Sequence, residues 1–159
     1  VNWQWHHLPL AMHEPAATHG ARLAECAGET GGHAAFWDAV AWIYRQSRGD
    51  GLGFPLGVEF PDATPVLREC LVSRRPDAVI RAQIEEAERL NVVATPTLRL
   101  LDNMSGQSLL LPAGPIEGDA LLSAIDLLAA GWNSSTTEVT SEPIERFKLS
   151  ADLVSDRPR

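Results

Sequence analysis

Two cysteines and five histidines are the residues of this chain best suited to chemistry. Cys26 and Cys70 stand 44 positions apart, far from the Cys-x-x-Cys spacing that places two thiols at one helix end. They read first as small buried core residues, because cysteine is among the most buried residue types. A structural disulfide between two helices is the next reading, and it would imply an oxidising compartment. A catalytic role comes last. The histidines invite a metal. But His6 and His7 are adjacent on what reads as a strand, so they face opposite ways, and His13 and His19 lack the four-residue step that shares a helix face. No metal site is expected, and His7 and His13, beside Pro9, read as surface or hydrogen-bonded core residues that at most flank a site.

Other motifs fall away on inspection. The Gly-rich stretch "GDGLGFPLG" lacks both the strand-to-helix context and the Lys of a phosphate loop, and no cofactor is expected. Glu85, Glu86 and Glu88 form a solvated helix face, and Asn133-Ser134-Ser135 matches a glycosylation acceptor by pattern only. A net charge of -8, with Arg74-Arg75 as the only basic pair, argues against nucleic-acid partners, since phosphate neutralisation needs clustered cations. No apolar run reaches the roughly 18 to 20 residues that cross a bilayer, and no basic start followed by an apolar segment marks a signal peptide, so export is not read from this sequence.

The elements that must position these residues are read from periodicity. At 159 residues, 45 % hydrophobic and 21 % charged, the chain fits one globular domain with an appendage. "VNWQWHHL" alternates as a strand and starts without a lead-in, which leads to the expectation that residues upstream of Val1 belong to the natural protein. After Pro9, the residues Ala16, Gly20, Leu23, Ala24 and Ala27 make a small-residue helical stripe that ends at Gly31-Gly32. A second helix follows, with Phe36, Val40 and Ile43 on one face and Trp37 and Tyr44 beside them; residues 48 to 61 are loop. Asp62 caps a third helix to Ser73, with Val66, Leu67 and Cys70 turned inward. Pro76 and Asp77 open a fourth, with Ile80, Ile84, Ala87 and Leu90 on its apolar side and Asn91 as its stop. Past Thr95-Pro96, Thr97 to Leu101 and Ser108 to Leu111 form a β-hairpin. A last helix, Glu117 to Ala130, points Leu121, Leu122, Ile125 and Leu128 inward and stops at Gly131. From Asn133 a polar linker leads to a weakly patterned tail.

Three stretches carry a resemblance. "WHHLPLAMHEPAATHGARLAECA" is similar to the strand, Pro-Leu turn and first insertion helix of DsbA-like thioredoxin-fold proteins. "ECLVSRRPDAVIRAQIEEAERLNVVATPTLRLLDN" resembles their run into the cis-proline loop, and within it Ala94-Thr95-Pro96-Thr97 resembles the family's Gly-Thr-Pro-Thr with Ala94 in place of Gly. The likeness extends from Val1 to about Gly131. It implies an α/β fold: a thioredoxin-like sheet with a helical insertion, at about residues 14 to 75, between the first strand and a C-terminal β-hairpin plus helix. Residues 132 to 159 would be linker and tail. A cis peptide costs little before proline, so X-Pro suits a sharp bend. In this fold the bend presents a strand edge beside the redox cysteines, and the resemblance makes Ala94, Thr95 and Pro96 the substrate-binding residues.

The departure from the family is as informative. Its Cys-x-x-Cys lies on a helix before the strand that "VNWQWHHLPL" resembles, and neither that motif nor the central strand leading into it is in this sequence. Either residues upstream supply them, or the domain is a redox-silent relative, or another segment replaces the strand, for which Glu145 to Val154 is the spare candidate. The function implied is a DsbA-like thiol–disulfide oxidoreductase domain without its dithiol, inactive in exchange as it stands. Its partners would be proteins or peptides bearing thiols or disulfides, in an extracytoplasmic, bacterial setting. The alternative is a redox-inactive peptide-binding module, or a homodimer joined through Trp3, Trp5 or Trp132.

Overall fold

A computed structural model describes residues 2–61 and 63–130. Val1, Asp62 with its expected cap, Gly131 with its expected stop, Trp132, the Asn133 acceptor pattern and the spare segment Glu145 to Val154 lie outside the described residues.

A short 3-10 turn, Ala11–His13, leads into α1, Ala16–Gln46. Glu14 accepts from the Thr18 N–H at 3.3 Å, which serves one of the free donors of the first helical turn. At Gly32 the backbone takes φ 79°, a left-handed value that glycine adopts without a Cβ clash, and it divides α1 into limbs 16–31 and 33–46. The limbs fold back on each other. A Cβ on Gly20 would lie 3.7 Å from Ile43, and one on Gly28 would lie 3.2 Å from Phe36, so the small-residue stripe is what lets the second limb approach.

Helix α2, Pro65–Ser73, packs on α1. Its cap is Thr64, whose hydroxyl accepts from the Leu67 N–H at 3.2 Å, with Pro65 in the first turn where no donor is needed. Leu67 and Cys70 face inward as expected, but Val66 is exposed, because it stands one step off the stripe that positions 67, 70 and 71 share. The core is compactly specified: Leu23, Cys26, Ala27 and Ala39 from α1 meet Leu67 and Cys70 from α2. Helix α3, Asp77–Arg89, buries Ile80 and ends where Asn91 turns left-handed at φ 54°.

Strands β1, Arg99–Leu101, and β2, Ser108–Leu110, pair antiparallel with Leu100 opposite Leu109. Both are shorter than their apolar runs, although Leu111 N–H still reaches the Leu98 carbonyl at 2.8 Å. Asp102 closes the turn by accepting from the Met104 and Ser105 backbones. Helix α4, Gly118–Ala129, lies across both strands with Leu121, Ile125 and Leu128 half-buried. Leu122, expected inward, is 61 % exposed, since the stripe at 121, 125 and 128 already takes the face toward the hairpin.

One expected element changes. Residues 2–10 form no strand, because a strand needs a neighbouring edge and the described sheet consists of β1 and β2 alone. A side chain stands in for that edge: Gln83 of α3 accepts from the His7 N–H at 2.6 Å. No described helix is long and apolar enough to cross a membrane.

Candidate functional site

The Thr95–Pro96 peptide is cis. The turn around it is held from both sides, since the Thr97 hydroxyl donates to the Ala94 carbonyl at 2.7 Å and the Gly114 N–H donates to the Pro96 carbonyl at 2.8 Å. Thr95 sits between these anchors, exposed, and among the described residues nothing pairs with its own backbone N–H or carbonyl. A free donor and acceptor on a fixed turn two residues before the hairpin strand is an arrangement that an incoming backbone can pair with.

Thr95 also lines a groove of about 300 Å³. Trp5, His7 and Pro9 form one side, and Gly20, Ala21 and Ala24 of α1 form another. Residues 2–10, though not a strand, still send alternate side chains opposite ways. His6 Nδ1 lies 3.3 Å from Glu86 of α3, and that carboxylate also accepts from Arg99 of β1 at 3.2 Å. His7 turns to α1, where its Nε2 lies 3.0 Å from Glu25, and it is only 7 % exposed.

The tautomer of His7 follows from its partners. Trp5 Nε1 lies 3.2 Å from His7 Nδ1, and an indole N–H can only donate, so Nδ1 is the bare acceptor and Nε2 carries the proton given to Glu25. Trp5 in turn meets Trp37 and Tyr44 edge-on, with ring centres 6.0 and 5.9 Å away. Arg22 and Asp77 join α1 to the start of α3 through two hydrogen bonds of 2.6 and 2.8 Å. The Arg22 guanidinium, mainly through those bonds, holds the Asp77 carboxyl below its ordinary value.

The cysteines lie elsewhere. Cys26 and Cys70 are both fully buried and joined in a disulfide, with Cα atoms 5.7 Å apart. The first reading of the sequence, two inert thiols, therefore gives way to the second: the turn at Gly32 folds α1 so that one of its core positions meets α2. Of the three expected substrate-binding residues, Thr95 is brought together with His7 and His13 in the lining of the groove, while Ala94 and Pro96 flank it in the turn and neither sulfur lines it. Among the described residues no three His, Cys, Asp or Glu side chains are placed to hold a metal. The sequence reading missed Trp5, Glu25 and Gln83 as partners of His7. The two-residue step from Trp5 to His7 was the available signal for the first of them, whereas Glu25 and Gln83 come from other elements.

The solved structure of Pseudomonas aeruginosa DsbA2 is similar, with a TM-score of 0.73 and 44 % identity over 81 % of this chain and 72 % of that one. No family model matches the chain, and no curated protein matches it. With the cis Thr95–Pro96 turn, the hairpin, α4 and the helical insertion in the family's order, and identity at this level, the chain belongs to the DsbA-like thioredoxin-fold family and is a thiol–disulfide oxidoreductase domain whose sequence as given holds no Cys-x-x-Cys.

Proposed function

We propose that residues 94–96 form the substrate-facing edge of this domain, and that a polypeptide carrying a thiol or disulfide lies extended along it. The observation that carries the reading is Thr95, exposed in a cis turn with its backbone N–H and carbonyl without partners among the described residues. Exchange itself needs a thiolate that attacks a substrate sulfur. Cys26 and Cys70 are bonded to each other and fully buried, so neither offers one. Residues 1 to 131 then make up the thioredoxin-like domain, and 132 to 159 a linker and tail. The bonded cysteines support an extracytoplasmic location, because such pairs persist under oxidising conditions.

Two measurements test this. Titrating the labelled chain with a capped, extended peptide that carries one alkylated cysteine should shift the backbone amides of Ala94, Thr95, Thr97 and Leu98 most. Shifts confined to other regions would overturn the assignment. In an insulin-reduction assay this chain alone should show no turnover above background, and turnover would mean that Cys26 or Cys70 is reactive. Self-association through Trp3, which is 56 % exposed, is the second reading, and light scattering at two concentrations separates it from a monomer.

A further inference from the structure

His7 is the buried titratable group that the proposed function leaves unused, and every contact around it is specific. Its backbone N–H goes to Gln83 of α3, its Nε2 proton to Glu25 in the first limb of α1, and the edge of Phe36 in the second limb meets its ring at 6.0 Å. Its Nδ1 takes the indole proton of Trp5. Of the other titratable or charged groups nearby, His13 lines the same groove beside Gly51, and the rest have partners or packing contacts. Glu86 of α3 is shared by His6 and Arg99, the Trp37 indole donates to His33 at 3.0 Å, and Tyr44 packs on Trp5.

A second proton on this ring breaks one contact only, while the contact to Glu25 becomes an ion pair. Nε2 donates to Glu25 in the neutral and in the charged form alike. Nδ1 accepts from Trp5 only while it is bare, and once protonated it sets two donors against each other. Trp5 lines the same groove as Thr95. We propose that His7 is a positioning residue for the substrate groove: neutral His7 holds Trp5 in place as a wall, and protonation at Nδ1 releases Trp5 and weakens binding of polypeptide at Thr95. This deepens the groove assignment above and rests on it.

The test uses the intact chain and a capped apolar peptide with one alkylated cysteine and no titratable side chain, so that only the protein titrates. Nitrogen NMR of the imidazole at about pH 8 should show Nδ1 unprotonated. Peptide affinity should fall about fivefold between about pH 8 and pH 5, the size expected for losing one part-buried hydrogen bond. In His7→Asn the amide oxygen can accept from Trp5 at any pH, so the ratio of the two affinities should collapse toward one. In Trp5→Phe it should collapse for the complementary reason. His7→Gln reaches Glu25 but offers nothing at the Nδ1 position, and at pH 8 it should bind as the parent does at pH 5. A protonated Nδ1 at pH 8, or a pH ratio that survives in His7→Asn, would overturn the proposal while leaving the groove assignment intact. No peptide binding at either pH would end both.

Discussion

The helical region from Ala16 to Arg89 and the region from β1 to α4 handle burial in opposite ways. Among the described residues every fully buried hydrophobic side chain lies between Ala21 and Ile80, while β1, β2 and α4 contain none. The difference is not one of composition, because Leu101, Leu110, Leu122 and Leu127 are apolar and exposed. Helices 1 and 2 close a core between themselves and seal it with a disulfide. A two-stranded ribbon under one helix has too few layers to do so. The helical region therefore closes a core of its own, and the region from β1 to α4 has apolar surface left over.

The contrast can be broken most forcefully at the disulfide. It closes a 44-residue separation, and the chain-entropy estimate for such a loop is about 4 kcal/mol. Replacing both cysteines with alanine should lower the urea midpoint of the helical region accordingly, while amide exchange in β1 and β2 should change little. Equal loss in both regions would show that they unfold as one. Next in size, Leu23→Ala empties a position that is 3 % exposed and should cost about 3 kcal/mol by the same measurement.

Asp77→Asn tests the join between α1 and α3 and should cost about 1 to 2 kcal/mol at neutral pH, as expected for paired charged hydrogen bonds that are only partly buried. Its sign with pH is fixed. The folded Asp77 carboxyl lies below its ordinary 3.8, so the stabilisation is complete above that value and disappears as pH falls through the lowered one. Parent and variant should therefore converge in acid. The smallest effect is expected at Leu122→Ala in α4, within about 0.5 kcal/mol, because the side chain is already in solvent. A loss near that of Leu23→Ala would mean that something covers α4.

How far the sequence revealed this depends on the range of the interactions. Most helix faces, the stop at Asn91, the hairpin and the sharp turn at Thr95-Pro96 are local patterns that the structure contains, with Val66 and Leu122 as the inward positions that turned out exposed. The break at Gly31-Gly32 was visible too, though not that it would fold the limbs back against each other. What local pattern could not give was partnership. Alternation in residues 2–8 predicts a strand, but a strand exists only with an edge beside it. Cys26 and Cys70 looked like core residues, and whether two core sulfurs bond depends on α1 and α2 meeting at those positions. The same division holds around the groove: the cis turn at Thr95-Pro96 was legible from its motif, while Glu25 and Gln83 belong to His7 only through the packing of α1 and α3.

Glu29 stands next to that disulfide. Its Oε2 lies 3.5 Å from Cys70 Sγ, and its other oxygen accepts from Arg75 at 2.9 Å. A bonded sulfur has no proton to give, so the carboxylate is simply a negative charge placed at the sulfur. Thiol exchange proceeds by attack of an anionic thiolate on one sulfur of a disulfide, and it needs access. The Cys26–Cys70 bond offers no solvent-exposed sulfur, and the neighbouring carboxylate is itself held by Arg75. A chain of this family thus carries a disulfide whose sulfurs are shut away from solvent, so the helical scaffold is tied by a bond set apart from its surface.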